Sequence, residues 1–590
     1  MKYNIAIISP KTWIHHSAVN EVVLYFYFMI KKKVDVLVVG SGIGGLTSGL
    51  FLSKRGFETL ICEKNNFYGG TTAWSQGMIW IPNTHHAKKA GIDDNYENAK
   101  KYLKNELGNF YKEEFVDIFL KKGPRAIEEL DKDTDVKFYL YDTPDYHSNE
   151  IGGVKTGRSL SPLPFDAKLL GKEFLNIRWP IPRMLVLGGM MVSTNEVATF
   201  LNPFSSIKKL FHIFKRILRY SVDRIRYPRG TELGNGNALV ARCVYSLKKN
   251  NVELWKNSPI KELIFEKNKV TGAIINKDGK DIEVESEHGV ILATGGFANN
   301  KQLRDEICKG FEHSETLVDS SNTGDGINIA KKIGAQIDNE VASPGYWTPI
   351  SLMKNKTGKL VVPYGWFDRG RPGIIAVNNE GNRFVNESNS YHDIVYAMFN
   401  DSSKKNNFHF ICDSNFVKKR GLGYLLPWPW TLNIKKYVDM NYIQSAKTIE
   451  ELADKINVNK ENLVKTVNNN NEFSKTGKDL EFNRGYSSFN HKLGDKKNNK
   501  NPNLGPIIKP PFYSLKIEAA TLGTATGLKT DENCRVFNSN GSPIEGLYAA
   551  GSDMTSMMRG FYPGGGITIG PAIAFSYQIA EYMKEKKNNG

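Results

Sequence analysis

The stretch from Val34 to Glu63 constrains this chain more than any other. Val34-Asp35-Val36-Leu37-Val38-Val39 has the pattern of a short buried strand, and Gly40-Ser41-Gly42-Ile43-Gly44-Gly45 follows at once. Residues 46–54 then read as a helix, and Thr59-Leu60-Ile61-Cys62 as a second strand ending at Glu63. Strand, G-x-G-x-x-G, helix, strand and a carboxylate about 20 residues on form the dinucleotide fingerprint of an α/β domain. Gly40 permits the tight turn, Gly42 lets backbone approach a pyrophosphate, and Gly45 packs helix on strand, while Glu63 is placed to accept ribose hydroxyls. Ser41, Gly44 and Lys64 belong to the same ligand-facing stretch. The charges of Lys64 and Arg55 read as solvated.

At 590 residues the chain exceeds what one core can organise. Its net charge of +17 raises nucleic acid or an anionic membrane as a partner. No nucleic-acid-binding motif is present, so nucleic acid is set aside. The five cysteines (Cys62, Cys243, Cys308, Cys412 and Cys534) are scattered, odd in number and without a C-x-x-C pair. That pattern argues against a disulfide framework or a metal site and for a reducing, cytoplasmic setting. Residues 1–30 end in an apolar run far short of the ~20 residues a membrane span needs, followed by Lys31-Lys32-Lys33. This segment is expected to be a poorly ordered or non-native extension.

Directly after the acidic strand comes Phe67-Tyr68-Gly69-Gly70-Thr71-Thr72-Ala73-Trp74-Ser75-Gln76-Gly77. Its small and hydroxyl residues suit a loop pressed against a large flat cofactor. The segment resembles the FAD-binding pattern of glutathione-reductase-like flavoproteins, in the branch that holds fumarate reductases and 3-ketosteroid dehydrogenases. Two further pieces of that pattern lie downstream, in Gly289-Val290-Ile291-Leu292-Ala293-Thr294-Gly295-Gly296 and in Gly546-Leu547-Tyr548-Ala549-Ala550-Gly551. The resemblance implies FAD rather than NAD, with Gly70, Thr71, Thr72, Ser75, Gly77, Ala293, Gly295 and Gly551 joining the fingerprint residues around it. It also implies a Rossmann-like FAD-binding domain, residues 31–341 and 510–590, with an inserted α+β catalytic cap, residues 342–509.

Near the C-terminus, Tyr562-Pro563-Gly564-Gly565-Gly566-Ile567-Thr568-Ile569-Gly570 precedes an amphipathic helical pattern. A phenol beside exposed N–H groups at a helix start suits a site where negative charge develops. Upstream, Arg383-Phe384-Val385-Asn386-Glu387-Ser388 leads to Tyr391, where fumarate-reductase-like members carry an arginine acid. From Val34 to Tyr582 the chain resembles the 3-ketosteroid Δ1-dehydrogenases. Residue by residue, that family's first active-site tyrosine matches Tyr146 in Pro144-Asp145-Tyr146, with Tyr139 and Tyr141 as nearby competitors. Its base tyrosine matches Tyr391, and its third tyrosine and ketone-binding glycine match Tyr562 and Gly566. The implied reaction desaturates C1–C2 of a 3-ketosteroid A ring: Tyr391 takes the C2 proton, Tyr146 supports the tyrosinate, and the C1 hydride goes to flavin N5. Tyr562 and Gly566 form the oxyanion hole, and the amides of Thr568 and Ile569 face the flavin. Another steroid position such as the 4,5-bond, a fumarate-like substrate, or a different cyclic ketone remain alternatives, as does a non-catalytic flavin protein. The implied electron acceptor is a quinone or similar compound.

One insertion lies outside this resemblance. Residues 204–230 place Ile207, Leu210, Phe211, Phe214, Ile217 and Leu218 at helical spacing among eight Lys and Arg residues, with Asp223 opposing. Such a helix suits an anionic membrane surface, giving a peripheral placement. The commoner use of an amphipathic helix is to pack its apolar stripe on its own protein.

Overall fold

The computed structural model describes residues 30–311, 315–355, 358–363, 368–403 and 405–589. The N-terminal extension therefore lies outside the described residues, apart from Ile30. The first strand spans Ile30–Val39, four residues earlier than the apolar pattern alone indicates. Its lysines are accommodated by the neighbouring strand Lys280–Leu292, where Lys31 sits opposite Glu283 and Lys33 opposite Glu285. Lys31 Nζ reaches Glu283 at 2.7 Å, and Lys32 reaches Glu253 on another strand at 2.7 Å. Cross-strand ion pairs thus extend an element whose own sequence turns polar.

The larger sheet has a parallel core in the order Glu253–Trp255, Thr59–Cys62, Ile30–Val39, Lys280–Leu292 and Pro543–Ala549. The long strand Lys280–Leu292 also closes an antiparallel meander through Lys269–Lys277 to Ile260–Glu266. Gly289 bends it between the two tasks: φ is +121°, and a Cβ there would lie 2.3 Å from Gly546 O. Helix Ile43–Lys54 is buried along ten residues and packs on the C-terminal helix Ile569–Asn589. Ser576 Oγ donates to Gly44 O at 2.9 Å and accepts from Ser48 Oγ at 3.0 Å, a close helix–helix approach that small residues allow. Arg55 is not solvated as expected. It binds Glu129 on Glu113–Asp133 at 2.9 Å and Glu581 on the C-terminal helix at 2.7 Å, with 6% of its side chain exposed. It ties three helices together.

A second sheet runs in the order Gly358–Pro363, Gly345–Asn355, Phe512–Thr524, Phe408–Asp413 and Ile374–Val377. Its central strand, Phe512–Thr524, comes from beyond Lys509 and continues toward the first sheet. The chain is thus α/β, with a Rossmann-like nucleotide unit and a mixed α+β unit built against it. The helix Tyr391–Phe399 packs on Gly345–Asn355 of the second sheet.

The basic insertion forms the helix Ile207–Arg226, but its packing inverts the expected arrangement. The buried face is polar: Arg216 pairs with Glu196 at 3.0 Å and also with Glu232, and Asp223 accepts from Thr231 Oγ1 at 2.7 Å. Tyr220 donates to Leu187 O at 2.8 Å. The apolar stripe points outward, leaving Ile207 82%, Phe211 68% and Phe214 62% exposed. Packing of that stripe on the protein is overturned. Arg216 and the buried Arg229, which lies against Phe174 and Trp179, are structural cations rather than part of a solvated basic face.

Candidate active site

Three glycines of the segment 562–570 lie where the chain from Met78 to Trp80 leaves no room for a Cβ. A Cβ on Gly564 would lie 2.4 Å from Trp80 Cδ1, and one on Gly570 would lie 2.2 Å from Trp80 O. One on Gly566, whose φ is +107°, would meet Met78 O at 2.5 Å. Trp80 N in turn donates to Gly566 O at 3.2 Å. The loop is held further at Pro563, whose carbonyl accepts from Tyr102 Oη at 2.8 Å and from Tyr146 N at 2.9 Å. Gly566 N–H has no hydrogen-bond acceptor among the described residues, which leaves it available to an oxygen from outside the protein.

Tyr146 begins a turn fixed by its neighbour Asp145. The Asp145 carboxylate accepts from Trp80 Nε1 at 2.8 Å and from Arg158 at 2.8 Å, and Arg158 also binds Asp94 at 2.7 Å. Burial pushes the Asp145 carboxyl up to about 6, against the pull of Arg158 and Trp80. The P-D-Y motif is therefore a buried anchor followed by a phenol. Tyr139 is engaged elsewhere, accepting from Asn195 Nδ2 at 2.5 Å.

Tyr391 is the first residue of its helix. Ser390 and Asp393 form a capping box, with Ser390 Oγ accepting from Asp393 N and Asp393 Oδ2 accepting from Ser390 N. The preceding R-F-V-N-E motif is a buried ionic shelf: Arg383 binds Glu387 at 2.8 Å and Asp479 at 2.9 Å, and Arg484 reaches Glu387 at 3.2 Å. Adjacent His392 accepts from Trp347 N at 3.2 Å through Nδ1, and its ring lies 5.7 Å from that of Tyr562. Burial lowers its pKa to about 4, so it is neutral.

From these separate anchors three phenols meet. Tyr146 donates to Tyr391 at 3.1 Å, and Tyr391 donates to Tyr562 at 2.9 Å. The rings of Tyr146 and Tyr562 stack with centroids 5.6 Å apart, and Tyr391 stands edge-on to both. A Cβ on Gly565 would lie 3.2 Å from the Tyr146 hydroxyl, so the glycine loop and the phenols share one wall. Burial pushes Tyr146 up to about 12, against the Tyr391 hydrogen bond and the charge of Arg369. Burial and its two phenolic neighbours hold Tyr391 well above the ordinary range. Arg369 is fully buried, donates to Asn389 O at 3.2 Å, and sets its guanidinium 5.9 Å from the Tyr391 ring centroid. Neither Arg369 nor Met78 was singled out by sequence, since no motif in the primary structure marks them.

The proposed cofactor residues form a second cluster. Glu63 Oε2 accepts from Ser41 N at 3.1 Å and Ser41 Oγ at 2.5 Å, fixing the glycine turn. Gly40 has φ +111°, and a Cβ there would meet Ala293 O at 2.2 Å. A Cβ on Gly70 would approach Gly42 Cα at 4.0 Å, and one on Gly44 would lie 3.2 Å from Gly551 N. Thr72 Oγ1 accepts from Ile43 N at 3.1 Å, and Thr71 Oγ1 accepts from Asp319 N at 2.9 Å. Ser75 Oγ accepts from Gly77 N at 2.9 Å, and Gly295 packs on Asn322. Gly45 serves packing alone, because its Cβ would strike Gly40 O at 1.9 Å. Lys64 departs from both expectations for it: it binds Asp325 at 2.7 Å and Thr323 at 2.8 Å, holding protein to protein. A cleft lined by Tyr346, Thr524, Gly551, Ser552, Thr568 and Phe575 includes Gly551 of this cradle, and its Tyr346 ring stands edge-on to Tyr562 with centroids 5.4 Å apart. Ile569 N donates to Gly566 O at 3.1 Å, so its amide closes the helix start. Outside the site, His85 and His86 both reach Asp131 Oδ2, at 3.2 and 2.6 Å.

Side-chain-free backbone on Gly40, Gly42 and Gly44, opposed by Gly70 and Gly551, fits a pyrophosphate with an extended flat group beyond it. Fold and site together define a flavin-dependent oxidoreductase, with FAD as its cofactor. The chain belongs to the FAD binding domain family, whose match covers residues 35–569. It is 35% identical over 552 residues to 4-oxocyclohex-2-ene-1-carboxylate 5-dehydrogenase of Sinomonas cyclohexanicum, spanning 92% of each chain. It is 32% identical to 3-oxosteroid 1-dehydrogenase of Mycolicibacterium smegmatis over 94% of this chain and 98% of the relative. Among solved structures, 3-ketosteroid delta1-dehydrogenase from Sterolibacterium denitrificans in complex with 1,4-androstadiene-3,17-dione superposes with TM-score 0.86 at 31% identity, covering 94% of this chain and 100% of that one.

Proposed function

We propose that this enzyme desaturates a cyclic ketone between the ring carbons α and β to the carbonyl, and that the substrate is the A ring of a 3-ketosteroid, oxidised at C1–C2. The observation that carries this reading is the contact of the three phenols beside the Gly566 N–H. The Tyr562 hydroxyl and Gly566 N–H hold the ketone oxygen, where enolate charge develops as the C2 proton leaves. Tyr391 takes that proton as tyrosinate; burial and any charge on the neighbouring phenols oppose this ionisation, and a neutral Tyr146 that keeps donating to Tyr391 offsets part of that cost. FAD supplies the acceptor for the C1 hydride. The similarity to steroid dehydrogenases at 31–32% identity supports this substrate.

A monocyclic substrate is the second reading, favoured by the 35% identity to an enzyme named for an oxocyclohexene carboxylate. Both rings present the same ketone and adjacent carbons, so the same phenols serve either. Anaerobic bleaching of the purified holoenzyme separates them. A 3-keto-4-ene steroid should bleach the flavin at low micromolar concentration while 4-oxocyclohexanecarboxylate fails at the same level. The reverse ranking assigns the monocyclic acid, and a flavin left oxidised by both rejects ketone desaturation.

The outward stripe of Ile207–Arg226 supports a docking surface for an anionic bilayer. Ile207, Phe211, Phe214 and Ile225 are exposed with Lys208, Lys215, Arg224 and Arg226 around them. A loop bearing exposed Trp428 and Leu432 is held to the preceding short helix Val197–Leu201, where Trp430 Nε1 donates to Leu201 O at 3.3 Å. Apolar residues that enter the headgroup region, rimmed by cations, suit interfacial binding. No described helix is long and apolar enough to cross a membrane. A bilayer would also hold an apolar ketone and a quinone-like electron acceptor.

A further inference from the structure

The catalytic pair Tyr146 and Tyr391 belongs to two structural units, and a single side chain bridges those units next to both tyrosines. His147 directly follows Tyr146. Its Nδ1 lies 2.7 Å from Glu106 Oε2 on the helix Tyr96–Leu107, and its Nε2 lies 3.1 Å from Asp393 Oδ2. Asp393 is the capping-box residue of the helix that Tyr391 begins. With one carboxylate on each ring nitrogen, only the imidazolium donates to both. Burial alone would lower this imidazole, but the Asp393 and Glu106 carboxylates overcome burial and hold it well above its ordinary range.

We propose that His147 is a positioning residue that clamps the N-terminus of the Tyr391 helix to the flavin-binding unit, and so sets the Tyr146–Tyr391 hydrogen bond on which proton abstraction depends. The inference rests on the ketone-desaturase reading and adds to it a cause for the alignment. Hydrogen bonds from a fixed donor lower the pKa of a phenol only while the geometry holds. The Tyr146 donor is fixed on its own side by Pro563 O and Asp145. The Tyr391 side is fixed by the Asp393 cap, and His147 joins the two. The charged groups facing His147 are Glu106 from one unit and Asp393 from the other, with neutral His392 behind Asp393. By sign, the doubly donating imidazolium is complete below its raised pKa and loses one bond as pH rises through it.

The test uses full-length FAD-loaded enzyme. His147→Gln and Asp393→Asn are each compared with wild type by anaerobic flavin bleaching across pH. The clamp predicts at least tenfold slower bleaching at saturating ketone with apparent substrate affinity changed less than threefold. It also predicts an ascending limb moved by about one pH unit to the alkaline side, and a double variant no slower than the worse single one. Unchanged rates and limbs in both variants, with FAD retained, would overturn it. So would equal loss at every pH with no shift of the limb, because that is the mark of general disruption. If wild-type flavin is not bleached by any ketone, the function fails separately. The clamp is then decided by ultraviolet titration of tyrosinate, as wild type minus Tyr391→Phe. A titration moved upward by His147→Gln supports the clamp, and an unmoved one rejects it.

Discussion

Tyr391 donates its hydroxyl to Tyr562 at 2.9 Å, although 171 residues and two structural units separate them. The acceptor is the phenol assigned to the substrate ketone, and the donor is the phenol assigned to the C2 proton. Tyr562 accepts that bond through its oxygen, so in the proposed reaction its own proton is left to donate to a ketone oxygen while Tyr391 stays beside it. Base and oxyanion donor are thereby kept within one ring's width of each other.

Loss of an oxyanion donor has a known scale. Tyr562→Phe is expected to slow the reductive half-reaction by about 10²–10³-fold, or ~3–4 kcal/mol, while FAD stays bound. Stopped-flow bleaching reads this directly, and Tyr146→Phe should show a smaller loss because it acts through Tyr391.

Gly566→Ala tests the backbone rather than a side chain. The residue has φ +107°, and its Cβ would lie 2.5 Å from Met78 O. An L-residue there is strained by roughly 1–2 kcal/mol before the clash is counted, so the loop must move. Weaker retention of FAD and lost turnover are expected together, measured by flavin fluorescence on dilution.

The ionic shelf under Tyr391 makes a stability prediction. Arg383→Met leaves Glu387 and Asp479 buried with one cation fewer, and breaking a buried pair this way typically costs ~3–5 kcal/mol. A thermal melt should move down sharply for Arg383→Met, whereas Lys475→Met, in an exposed pair with Glu472, should leave it in place.

Turnover should climb with pH. Burial and the neighbouring phenols raise the Tyr391 pKa, so its base form is scarce at neutral pH and grows as pH increases. A rate profile that is flat from neutral into the alkaline range would remove Tyr391 from the role of base.

On the helix Ile207–Arg226, if the proposed docking holds, Phe211→Glu with Phe214→Glu should abolish co-sedimentation with vesicles containing phosphatidylserine at low salt and leave bleaching by soluble ketone unchanged. Equal sedimentation of variant and wild type would reject the surface.

Local motifs made much of this site legible. Residues 34–63 fold as their glycines and apolar runs imply, because a tight turn between strand and helix depends on near neighbours. The phenols were readable singly, each beside a local anchor such as Asp145 or Ser390. What could not be read depends on partners far along the chain. The lysines at 31–33 became strand only because Glu283, Glu285 and Glu253 face them. Arg55 is buried because Glu129 and Glu581 converge on it. Helical periodicity revealed the stripe of Ile207–Arg226 but not its direction, which Glu196, Glu232 and Asp166 decide by pairing with Arg216 and Arg219 on the opposite face. His147 carries no motif, and its role emerges only where Glu106 and Asp393 meet around it.

The central claim is that Tyr391 removes the proton beside a ring ketone. Its most direct measurement is the anaerobic bleaching rate of FAD-loaded Tyr391→Phe against wild type with the same 3-keto-4-ene steroid. The account predicts rapid bleaching of the wild-type flavin and none on the same timescale for the variant, with FAD content equal in both. A Tyr391→Phe enzyme that bleaches at the wild-type rate would contradict it.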